Sequence, residues 1–179
     1  RYAERMLAGL STESEAVACW HSIVGPDLSD LGWTVPVRLD ELTAEALCRF
    51  NPLAVGAVVA RRRALDRLAT QQELGIPTGQ LEAPFRTEDG TLADWGHWLR
   101  AAKAGLRWSD VVPEPLYLYR MVNGSLSRDV QAMCRDGVRM IGMNASTESR
   151  PAHLRAWNIR CLARAVALRD HEATQEYRR

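Results

Sequence analysis

Residues 16–24, AVACWHSIV, carry apolar side chains at both odd and even positions over the length of one strand. A strand with one wet face alternates apolar and polar residues, whereas a strand covered on both faces does not. This run therefore demands a packed layer on each side. Helices can supply those layers. Residues 2–10 (YAERMLAGL), 39–50 (LDELTAEALCRF), 128–143 and 151–170 all place apolar residues at helical spacing. Two further strands are expected, at 53–60 within LAVGAVVA and at 115–119 within PLYLYR. GPDLSDLGW (25–33), rich in turn formers, reads as a loop, as does NGSLS. Separated strands among helices argue an α/β domain with a mixed sheet flanked by helices.

The chain has 179 residues, enough for one domain with a substantial core. Its formal net charge of +1 gives no field that would draw it to nucleic acid or to an anionic surface. The run Arg61-Arg62-Arg63 opens a helix and reads as a solvated face. Lys103 is the sole lysine, an arginine-for-lysine bias typical of GC-rich bacterial coding. Cys19, Cys48, Cys134 and Cys161 stand far apart among apolar neighbours, without a C-x-x-C pair. They read as reduced core thiols and argue against a zinc site, which favours a reducing, cytoplasmic setting. No stretch has the 18 or so apolar residues of a membrane-spanning helix.

The segment TLADWGHWLRAAKAGLRW (91–108) concentrates chemistry-bearing residues. Leu92, Trp95, Leu99 and Ala102 form one apolar helical face, and Gly105 suits a left-handed stop. Thr91 and Asp94 have the spacing of a capping box, which makes Asp94 a first-turn acid favoured by the helix dipole. His97 shares a face with Asp94 and reads as a solvated histidine. Trp95 reads as core, and Trp98 as core or as a platform for a ligand.

ADWGHWLRAAKAG leads into RWSDVVPEPLYLYR and then NGSLSRD, with NPLAVGAVVARRRAL upstream. In order and spacing this resembles the C-terminal half of a family-two inverting glycosyltransferase of GT-A fold. The likeness is specific over 92–128 and loose before 50. It divides the chain into 1–128, the acceptor-side half of a GT-A domain, and 129–179, a helical C-terminal extension. It implies transfer of a sugar from a nucleotide-sugar donor to an acceptor hydroxyl with inversion. Asp94 matches the family's general base, and Trp95, His97, Trp98, Arg120 and Ser125 become candidate substrate contacts. The nucleotide-binding half, with the D-x-D that holds Mg or Mn, would precede Arg1, so these residues alone are expected to bind a donor poorly and supply no metal ligand.

The chain also departs from the family pattern. Ala93 stands where the family has an acid before its aspartate, and Val122 where it has a histidine. Gly75 and Gly79 keep only part of the glycine-rich acceptor loop, and Glu88 and Asp89 form a displaced acidic pair that rivals Asp94. These departures sustain the alternative of a non-catalytic glycosyltransferase-like fragment acting as an interaction module. The segment from 135 onward is basic. In it Leu154, Trp157, Cys161, Ala165 and Leu168 form one helical face, which suits packing on its own domain, a homodimer contact or an anionic membrane surface.

Overall fold

The strand Ala16–Val24 (β1) is the centre of a four-stranded mixed sheet in the computed structural model, which describes residues 1–70, 87–122 and 124–168, the side chains of 67–70 and 87–89 excepted. Val112–Arg120 (β4) runs parallel to it, from Cys19 opposite Val112 to Val24 opposite Arg120. Asp30–Val35 (β2) pairs antiparallel with its C-terminal half, His21 opposite Val35, and Val58–Ala60 (β3) pairs antiparallel with Ala16, Val17 and Ala18. Ala16 also bridges in parallel to Trp108. Since a strand has two edges, β2 and β3 share the edge opposite β4.

Six α-helices surround this sheet among the described residues: Tyr2–Gly9 (α1), Ala44–Arg49 (α2), Arg62–Thr70 (α3), Ala93–Lys103 (α4), Val130–Asn144 (α5) and Arg150–Ala167 (α6). The two-sided burial expected of β1 is present. Ala16 and Ala18 enter a core with Leu47, Trp95, Leu99 and Ile141, while Val17 and Cys19 enter a second core with Met6 of α1. All four of these β1 side chains are fully buried.

The largest departures from the sequence expectation lie in three segments. The stretch read as a loop at 25–33 turns at Gly25–Ser29, closed by Gly25 N–H to the Ser29 carbonyl at 2.9 Å, and then continues as β2. β2 lies at the sheet edge with Leu31 and Trp33 exposed, so no buried alternation marked it as a strand. The expected strand at 53–60 shortens to β3, because Val55–Ala57 forms a 3₁₀ turn. The expected helix at 39–50 breaks at Thr43, whose hydroxyl caps α2 by accepting from Ala46 N–H. Gly75 and Gly79 lie outside the described residues.

The cysteine expectation is corrected. Cys134 of α5 and Cys161 of α6 form a disulfide, with Cα atoms 5.9 Å apart, while Cys19 and Cys48 are free and buried. The helical hairpin through residues 145–149 brings the pair together, and no local spacing encodes that approach. The cysteines therefore no longer argue for a reducing compartment. The hairpin is close enough that a Cβ at Gly137 would come within 2.2 Å of the Trp157 ring. The α6 face picked out by the sequence is spent on this packing. Trp157, Cys161 and Ala165 are buried in the larger core, with Leu154 and Leu168 packed against it. No helix among the described residues is long and apolar enough to cross a membrane.

Candidate functional site

α4 is positioned from both ends. At its C-terminus Leu106 N–H reaches the Ala101 carbonyl at 2.9 Å and Gly105 N–H the Ala102 carbonyl at 3.0 Å, with Gly105 at φ +75°. This paired closure is the left-handed stop that the sequence led one to expect. At the N-terminus the expected capping box does not form. The backbone N–H and hydroxyl of Thr91 both donate to Asp136 Oδ2 of α5, each at 2.9 Å. Gly90, at φ +63°, precedes this contact, and a Cβ there would lie 2.4 Å from the same carboxylate oxygen.

Asp94 nonetheless stays the first-turn acid of α4, its carboxylate accepting the Trp95 N–H of its own helix at 2.7 Å. It lines a cleft of about 810 Å³ bounded by the C-terminal halves of β1 and β4, by β2, by residues 50–55 and by α5 and α6. The cleft thus opens at the C-terminal ends of the parallel pair, where ligands bind in open α/β sheets. Burial raises the Asp94 carboxyl above its ordinary 3.8, and the backbone N–H groups of Trp95 and of Asp94 itself only partly offset that shift. A carboxylate so placed holds a proton more readily than a solvated one, as a general base requires.

The other expected contacts disperse. Trp95 borders the cleft but is 1% exposed, donates its Nε1–H to the Leu47 carbonyl at 2.6 Å and packs on Trp157 with centroids 5.0 Å apart. It is chiefly a core residue. His97, expected in solvent, is 8% exposed and stands edge-on to Trp98 at 4.6 Å. Trp98 is buried against Trp108, and its Nε1–H has no partner among the described residues. Arg120 is exposed at the end of β4 and donates Nε–H to the Pro26 carbonyl at 2.7 Å, tying down the β1–β2 turn. Ser125 precedes a 3₁₀ turn and shares a hydrogen bond with Ser127 at 3.1 Å. Neither Arg120 nor Ser125 lines the cleft, though Ser127 does. Of the neighbours expected for Asp94, Trp95 or Trp98 and Arg120, Trp95 stands beside it in the cleft, while Trp98 and Arg120 do not line it. The side chains of Glu88 and Asp89 lie outside the described residues.

Three polar residues of the cleft carried no functional reading in the sequence. His21 of β1 is 7% exposed, with Nδ1 unpartnered among the described residues, and its burial lowers its pKa from 6.5. A histidine inside a two-sided apolar run was the available signal. Arg160 and Arg164 stand one turn apart on α6. Arg160 lies over the Phe50 ring at 3.8 Å, and Arg164 donates to the Ser127 carbonyl. No group of three His, Cys, Asp or Glu side chains gathers to hold a metal ion among the described residues. No family model, curated protein or solved structure matches the chain.

Proposed function

We propose that this chain is the acceptor-side half of an inverting glycosyltransferase of GT-A type, with Asp94 as the general base. The observation that carries the reading is a carboxylate in the first turn of α4, raised in pKa by burial, that lines a large cleft at the C-terminal ends of parallel strands. In this mechanism the acceptor hydroxyl enters the cleft and Asp94 removes its proton as the oxygen attacks the anomeric carbon. The bond from that carbon to the nucleoside diphosphate breaks on the opposite face, which inverts the centre. The described residues offer no ligand set for the Mg or Mn that the family employs, so no step here runs through an ion.

The alternative of a non-catalytic interaction module draws on a specific observation. Arg120 is engaged by Pro26, and His97 and Trp98 are buried, so Asp94 lacks the companions the resemblance implied. Asp94→Asn in the full-length gene product separates the two readings. Release of nucleoside diphosphate from UDP-, GDP- and dTDP-sugars is measured against a panel of hydroxyl acceptors, with melting temperature alongside. The enzyme reading expects turnover to fall about a hundredfold or more in a folded variant. Turnover kept within a few-fold would remove Asp94 from the chemistry and make Glu88 or Asp89 the next carboxylate to test.

A further inference from the structure

Arginine stays charged at any ordinary pH, so a guanidinium taken out of water retains its desolvation cost until an anion meets it. Arg164, half-buried in the cleft wall, meets part of that cost. Burial lowers its pKa from the ordinary value, and its Nε–H is buried without a partner among the described residues. Its described hydrogen bond goes to a neutral carbonyl, that of Ser127. No carboxylate among the described residues forms an ion pair with Arg164 or Arg160. Arg160, one turn earlier, stands at the mouth over Phe50. Around them the cleft is apolar and aromatic, with Ile23, Trp33, Met133 and Trp157 among its walls.

We infer that the α6 wall of the cleft is an oxyanion subsite: Arg164, assisted by Arg160, takes a phosphate or similar compact oxyanion carried by an acceptor whose apolar or aromatic body lies along the cleft. The inference rests on the reading of this cleft as an acceptor site. It adds the acceptor's chemical class, an alcohol that also bears an oxyanion. A forked guanidinium presents paired donors to two oxygens of such a group, which an ammonium cannot do. The oxyanion could belong to a soluble phosphorylated acceptor or to a lipid headgroup, since both offer the same oxygens.

The probe is 1-naphthyl phosphate, titrated into the 179-residue chain and followed by tryptophan fluorescence, with Trp33 and Trp157 in the walls as reporters. 1-Naphthol and inorganic phosphate serve as the two half-ligands. The phosphate ester is expected to bind about tenfold or more tightly than 1-naphthol, the size of one charge-assisted contact. Arg164→Gln is expected to erase that preference, Arg160→Gln to reduce it, and Arg164→Lys to keep only part of it. Melting temperature identifies any variant that fails to fold. Should Arg164→Gln lose its fold with the Ser127 contact, Arg160→Gln and Arg164→Lys carry the comparison. Vesicles of anionic phospholipid that displace the probe assign the oxyanion to a lipid headgroup, and vesicles that do not displace it assign it to a soluble acceptor. Equal affinity for ester and alcohol, or a preference untouched by both arginine substitutions, overturns the subsite. Asp94→Asn keeps the two readings apart. A retained ester preference with undiminished transfer removes the base and leaves the subsite, while a missing preference with abolished transfer does the reverse.

Discussion

Thr91 gives its backbone N–H and its hydroxyl to the same oxygen of Asp136, 45 residues away, each at 2.9 Å. One carboxylate on α5 thereby fixes the start of α4 and leaves Asp94 facing the cleft. Asp136→Ala should cost about 1.5–3 kcal/mol, the range for hydrogen bonds to a charged group. Urea unfolding measures it. Gly90→Ala should fail in the same direction, because its Cβ would meet that carboxylate at a left-handed φ of 63°. A loss no greater than that of an ordinary surface substitution would detach α4 from this anchor.

Asp94 should lower stability at neutral pH. Its folded pKa is raised above 3.8, so the native state holds this proton more tightly than the unfolded chain does. Its favourable contribution is therefore full below pH 3.8 and is lost as pH rises through the raised folded value. Asparagine keeps an oxygen for the Trp95 N–H without the charge. Asp94→Asn should then gain on the wild type as pH moves from 3 toward 7, read as the difference between the two in chemical denaturation across pH. A constant difference would mean that the carboxylate is solvated.

For His21 the sign is opposite. Burial depresses its folded pKa below 6.5, so between the two values the unfolded chain binds the proton that the native state refuses. Stability is full above pH 6.5 and declines as pH falls toward the folded value. His21→Phe, which keeps an aromatic ring opposite Val35, should flatten this part of the profile. An unaltered slope between pH 7.5 and pH 5 would assign the acid sensitivity elsewhere.

Reducing the Cys134–Cys161 bond frees a loop with a sequence separation of 27 residues. By chain entropy that costs about 3.5 kcal/mol. Thermal melts with and without dithiothreitol should differ, whereas the Cys161→Ser variant should melt alike under both conditions. Both cysteines line the cleft, so loosening α6 should also weaken any ligand held by Arg160 and Arg164. A reductant effect that persists in Cys161→Ser would contradict this pairing.

What the sequence determined was local. The run AVACWHSIV announced a strand buried on both faces, and β1 is one. The spacing of Leu92, Trp95 and Leu99 and the glycine at 105 set out α4 and its left-handed end. The apolar face of α6 was correctly traced through Trp157, Cys161 and Ala165. These features follow from backbone periodicity and steric freedom, which are properties of neighbouring residues. Tertiary structure decided what depends on distant partners. It took Thr91 from Asp94 and gave it to Asp136, and it buried His97, which from its own helix alone looked solvated. It joined Cys134 to Cys161, made an edge strand of a turn-rich stretch, and gathered His21, Asp94 and Arg164 around one cleft. No residue's neighbours in sequence specify which surface will be laid against it, and burial, charge cost and pairing are set by that surface.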